Sequence, residues 1–126
     1  MVRDKRECGQ GIVELAIVLP ILILLVLGAL DLGRAFSTRI ALANAAREAV
    51  FVASLTPSVS LAGLQAIVAG ELGGTVDGPV TVTRTGLLVA GTPVTIAIEN
   101  AFAPTLSGLF GAPTLPVRAS ATMVVQ

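Results

Sequence analysis

Between Leu15 and Leu30 the chain carries no charged residue, and nearly every amino acid there is Leu, Ile, Val or Ala. Extended back to Gln10 and forward to Leu32, the stretch has about twenty residues, the helix length that covers the ~30 Å hydrocarbon core of a bilayer. It is apolar on every side. A helix lying flat on a membrane needs one polar face, so that alternative fits poorly. The segment therefore reads as a single transmembrane span. The mean hydropathy of the whole 126-residue chain, +0.90, agrees, because an ordinary soluble domain is far less apolar.

What is missing limits the chemistry. The chain has no His, which removes the commonest general base and the commonest metal ligand. Its one cysteine, Cys8, makes neither an intrachain disulfide nor a thiolate zinc site. The carboxylates are scattered without the spacing of a catalytic pair, and the only lysine, Lys5, lies in the N-terminal tail. No phosphate-binding glycine loop is present, since Gly9-Gln-Gly11 lacks the strand and spacing of a nucleotide fingerprint. Neither an enzyme, a metal or cofactor site, nor a small-molecule substrate is expected. Formal net charge is zero, and there is no Trp or Tyr, which argues against nucleic acid as a partner.

Two residues disturb the span. Pro20 lies inside it and removes a backbone donor, which kinks or loosens a helix, although membrane helices also tolerate proline without consequence. Glu14 is an ionisable group at the N-terminal end of the apolar run, where a carboxylate in hydrocarbon costs about 2.5 kcal/mol or more. Either it lies shallow enough to reach the headgroups, or it has a use. A cut after Gly9 would create a new amino terminus at Gln10 and make Glu14 the fifth residue of the shortened chain. The α-amine and the carboxylate would then lie one helical turn apart. Between staggered neighbours they could neutralise each other, and a misaligned neighbour would leave a charge unpaired, so the pair could fix subunit register.

A charged leader ending in Gly, followed by an apolar helix with Glu five residues past the cut, resembles the signal of type IV pilins. More closely, Gly9-Gln-Gly-Ile-Val-Glu14-Leu-Ala-Ile-Val-Leu-Pro20, with Asp31-Leu-Gly-Arg34-Ala-Phe36 downstream, resembles the TadE-like proteins, pilin-like components of tight-adherence (Flp) pilus systems. The chain departs from many of these in carrying Leu15 where they have an aromatic residue. The resemblance implies cleavage between Gly9 and Gln10 by a prepilin peptidase on the cytoplasmic side, with the helix left whole. It also implies pilus assembly proteins and other pilins as partners.

Other processing signals fit less well. A secretory signal peptide needs a small-residue site after its apolar stretch, for which Gly28-Ala29 is a weak candidate. Cys8 precedes the apolar run, whereas a lipoprotein cysteine follows it, so Cys8 is expected to be an unimportant thiol lost with the leader. Arg3, Lys5 and Arg6 favour a cytoplasmic N-terminus, while Arg34, Arg39 and Arg47 beyond the span weigh weakly the other way. The resemblance decides for N-terminus inside and C-terminal part outside a bacterial inner membrane.

Past the span the helix is expected to continue to about Ser54, with Phe36, Ile40, Ala43, Ala46 or Arg47, and Val50 as its apolar stripe. Ala41, Ala45 and Ala49 stand four apart, which either admits another helix closely or reflects helix propensity alone. From Gln10 the helix would be about 45 residues and about 65 Å long. Thr56-Pro57 stops it. Ser58 or Ser60 caps a short second helix carrying Leu61, Leu64, Ile67 or Val68, and Leu72, and Gly73-Gly74 ends it. The period then becomes two. Val80 and Val82 form one strand, Val94, Ile96 and Ile98 a second in a hairpin with the first, and Val117 to Val125 a third, with Pro116 near its start or on an edge. Ala103 to Pro113 reads as a loop, whose Phe102, Leu106, Leu109 and Phe110 serve as a core plug or as a partner surface.

The expected class is thus α+β, with a long transmembrane and stalk helix, a short second helix and a small three-stranded antiparallel sheet. Residues 1–9 form a leader, 10–55 the span and stalk, and 56–126 a small extracytoplasmic domain. The function expected is that of a minor pilin or pseudopilin in tight-adherence pilus assembly, with Gly9, Gln10 and Glu14 as the site residues. The alternatives are an unprocessed, membrane-anchored binding module and a minor pseudopilin of type II secretion.

Overall fold

One helix, α1, organises everything else. The computed structural model describes residues 5–111 and 113–126, with the backbone alone at residues 5–9, 109 and 110. Of the expected leader, Met1 to Asp4 and the Cys8 side chain therefore lie outside the described residues. α1 runs from Lys5 to Leu55, 51 residues, and passes through Pro20 without ending. Its stretch from Gln10 to Leu55 is 46 residues and is long and apolar enough to cross a membrane. It ends where expected: Thr56 donates its N–H to the Val52 carbonyl at 2.9 Å, and Pro57 follows.

The short second helix, α2 (Leu61–Leu72), is capped by Ser60, whose hydroxyl accepts the Gly63 N–H at 3.1 Å. Of the two serines considered, Ser60 is the cap. Gly73, at φ 48, closes the other end by donating to the Ala69 carbonyl at 3.1 Å. Three strands follow: β1 (Val80–Thr85), β2 (Pro93–Phe102) and β3 (Leu115–Val124). They form an antiparallel sheet in the order β1-β2-β3. Ile98 stands opposite Val82 on one side and Ala119 on the other. β3 is an edge strand, and Pro116 is its second residue, a place where a missing N–H does little harm.

Alternation in β2 separates the two faces of the sheet. Val94, Ile96, Ile98, Asn100 and Phe102 are buried beneath the helices, while the residues between them are partly exposed. On the outer face Arg118 pairs with Glu99 at 2.9 Å, and the Thr95 and Thr122 hydroxyls meet at 2.8 Å. The inner face packs on α1 and α2, giving two layers around one core of Leu42, Leu64, Val68, Ile96 and Ile98. Burying such a side chain fully contributes about 1.5–3 kcal/mol each.

The structure corrects part of the face of α1 that does this. Phe36 and Ile40, expected on the apolar stripe, are 66 % and 48 % exposed. The buried face keeps the expected Ala46 and Val50 and adds Thr38, Leu42, Ala45, Ala49 and Ala53. The alanines are small because β2, β3 and α2 press directly on the helix. Ala45 and Ala49, expected either to admit another helix closely or to reflect helix propensity alone, are fully buried in one core with Leu64 and Val68 of α2. A second correction concerns residues 103–113. They are not all loop, because α3 (Thr105–Phe110) forms a further short helix there, closed by Gly111 at φ 67.

Ala49→Leu should therefore overpack the helix–sheet contact and cost about 1–3 kcal/mol. Ile40→Ala, on the exposed face, should change stability by less than about 0.5 kcal/mol. Denaturation of the detergent-solubilised full chain, followed by circular dichroism, reads both.

Candidate functional site

The residues singled out from the sequence lie at opposite ends of the span. At one end α1 passes through Gly9 and Gln10 without a break, and Gln10 and Glu14 are exposed one helical turn apart. At the other end stands Asp31, the first charge beyond the apolar run, about 26 Å from Glu14 along the helix. The structure does not bring the two ends together.

Asp31 is where the chain makes its most specific long-range contact. The residue is 6 % exposed. One carboxylate oxygen accepts the Thr105 N–H at 2.8 Å, and the other accepts the Leu106 N–H at 2.9 Å. These are the first backbone donors of α3, whose N-cap, Pro104, offers no side-chain cap of its own. Asp31 thus caps a helix 74 residues away in sequence. A negative charge on the unsatisfied N–H groups of a helix start is the favourable pairing, and each bond strengthens the ionised carboxylate.

Arg34, one turn further along α1, gathers the surroundings. Its guanidinium donates to the Thr105 hydroxyl at 3.0 Å and to the Asp77 carboxylate at 3.2 Å, and reaches Asp31 at 3.4 Å. It also lies over the Phe102 ring, 5.4 Å from its centre. The Arg34 side chain is 44 % exposed and that of Asp77 81 %, so this ion pair alone contributes at most about 1 kcal/mol. The buried carboxylate of Asp31 is the stronger element, and Arg34 orders what lies around it.

Asp77 is held in turn by Asn100. The buried Asn100 amide donates to the Asp77 carbonyl at 2.9 Å and to the Pro79 carbonyl at 3.3 Å. Its Oδ1 is buried without a partner among the described residues. Gly78 lets this turn lie flat on β2. It sits at φ 91, and an added Cβ would stand 3.0 Å from the Ala101 carbonyl oxygen. Beside the cluster is an open cleft of about 340 Å³ between α1 and the Thr75–Asp77 segment, floored by Phe102. Among the described residues no three His, Cys, Asp or Glu side chains stand together as metal ligands.

The chemical capacity of this site is mechanical. It joins the end of the span to the head through α3, the turn at Asp77 and the end of β2. The sequence marks Asp31 and Arg34 through a resemblance, and Arg34 also as a charge bearing on orientation, but gives no role to Asp77 or Asn100. The available signal was an aspartate directly after an apolar run with an arginine three residues on, a spacing that puts both on one helix face.

Asp31→Ala should speed amide hydrogen exchange at Thr105 and Leu106 by at least about tenfold, because α3 loses its cap. Arg84→Ala, whose guanidinium bonds the Val59 carbonyl, should leave those amides unchanged.

Comparison with curated proteins and with solved structures gives no match to either. A family model does match: residues 9–50, about a third of the chain, fit the model described as TadE-like protein. The matched segment holds Gly9, Gln10, Glu14, the apolar run, Asp31 and Arg34, and over it the chain is similar to the TadE-like proteins.

Proposed function

We propose that the chain is a minor pilin or pseudopilin that takes part in assembly of a tight-adherence (Flp) pilus. In this reading a prepilin peptidase removes residues 1–9, and α1 from Gln10 onward is the span and stalk. Residues 56–126 form the exported head, with the N-terminus on the cytoplasmic side of the inner membrane. Glu14, next to the new amino terminus, sets the register against neighbouring pilins. The chain has no catalytic role.

The observation that carries this reading is one unbroken helix. It runs from Lys5 through the Gly9–Gln10 junction, continues through the apolar run and ends packed against the core of a small α+β head, all within or beside the TadE-like match. A pilin subunit needs that continuity, because the same helix must serve in lipid and then pack among other subunits.

One observation favours the unprocessed binding module. The Gly9–Gln10 amide lies within the hydrogen-bonded ladder of α1, which a peptidase must first open. Intact mass and N-terminal sequencing of the protein from its native membrane, beside a Gly9→Ala variant, separate the two. A mature start at Gln10, lost in the variant, is the expected result. A chain still beginning at Met1 or Val2 overturns pilin-type processing. With processing established, Glu14→Leu should leave cleavage and membrane insertion intact and abolish most co-isolation with other pilins.

A further inference from the structure

We propose that α3 and its flanks seat in the headgroup–acyl boundary of the same bilayer that α1 spans, so that the head touches lipid directly. The proposal rests on the reading of α1 as a membrane span, and the geometry at the exit of that span carries it. The uncharged run Leu15–Leu30 amounts to about 24 Å of helix, less than the ~30 Å of a bilayer core. A run shorter than the core draws the bilayer thinner around it, which brings both boundaries to its charged ends. Whatever is fixed beside its last turn is then at the boundary too.

α3 is fixed there. Its first two amides are bonded to Asp31, one residue past the run, at 2.8 and 2.9 Å. Leu106 reaches further down, to within 4.0 Å of where a side chain on Gly28 would begin, beside the run itself. The composition of α3 suits the place. No charge occurs between Glu99 and Arg118, and α3 reads Thr-Leu-Ser-Gly-Leu-Phe, with Leu106, Leu109 and Phe110 at helical spacing. A soluble head has no evident reason to carry its least charged short helix at this level, whereas a membrane interface accepts Leu and Phe readily. Asp31 is compatible with the same position, because its carboxylate is already satisfied by backbone donors and needs no water for them.

The opposite end of the head stands clear of the lipid. β2 runs from Pro93, near the Ser54 end of α1, to Phe102 beside Arg34, and the Gln126 N–H bonds the Ser54 carbonyl at 3.0 Å. The β1–β2 hairpin tip, with Val89 55 % exposed, is therefore at the far end of the head.

Because the chain has no Trp or Tyr, one introduced tryptophan reports alone. The full-length protein is reconstituted in phosphatidylcholine vesicles containing lipids brominated near the top of the acyl chains. Leu109→Trp and Phe110→Trp, adjacent positions about 100° apart around a helix, are compared with Leu22→Trp in the span and Val89→Trp at the hairpin tip. The expected result is blue-shifted emission from at least one α3 variant, losing about half its intensity to the bromines, with Val89→Trp unaffected. If both α3 variants behave like Val89→Trp while Leu22→Trp responds to the membrane, the inference fails and the span reading stands. Blue-shifted but unquenched α3 variants would mean that protein covers the helix, and would equally overturn it. A Leu22→Trp emission like that of Val89→Trp would remove the span reading and the inference with it.

Discussion

Two backbone N–H groups pointing at one buried carboxylate hold this molecule in its shape. Asp31 belongs to the long helix, and the donors belong to α3, seventy-odd positions further along the chain. Neither partner is well served without the other. α3 is a helix of six residues with a proline at its start and no cap of its own, too short to form unaided. Asp31, without those donors, would be a largely buried charge next to hydrocarbon, which is costly. Because the contact joins the end of the apolar run to the near end of the head, it sets where the head sits on the helix. Arg34, Asp77, Asn100 and Gly78 extend it into a chain of polar contacts that ends on the central strand.

Above this point the fold is held by close approach. Four fully buried alanines on α1 let the sheet and α2 press against helical backbone, and the larger Leu42 and Val50 fill the space between them. The head would be small for an independent core, and it has no disulfide to staple it. The upper half of α1 supplies one side of that core, so the stalk and the head are a single packed unit.

Element type was legible in the sequence where a period was clean. The apolar run, the Ser60 cap, the Gly73 stop and the alternation of Val94, Ile96 and Ile98 each announce their element through local chemistry. The choice of face was legible only in part. Phe36 and Ile40 are large and apolar, so hydrophobicity alone favours burying them, yet they stay exposed, while the expected Ala46 and Val50 are buried together with Leu42, Ala45 and Ala49. α3 was missed although Leu106, Leu109 and Phe110 keep helical spacing before Gly111, because flanking prolines and glycines resemble a loop. Asn100 was unreadable for another reason. It sits in strand alternation like any inward residue, and its task depends on a turn that comes near it only in the folded chain. For Gly9, Gln10 and Glu14 the case rests on sequence and family likeness, since their chemistry involves partners.

The unbroken run of α1 makes it a lever. From Asp31 to Leu55 the helix is about 36 Å long. A tilt of about 20°, the average for membrane helices, would carry its upper end sideways by about 12 Å. No glycine or proline interrupts α1 between Gly33 and Leu55 to absorb such a motion, and the sheet is packed along that whole length. Any tilt imposed on the lower helix is thereby converted into a displacement of the hairpin tip, in a direction set by the side of α1 on which α3 is pinned.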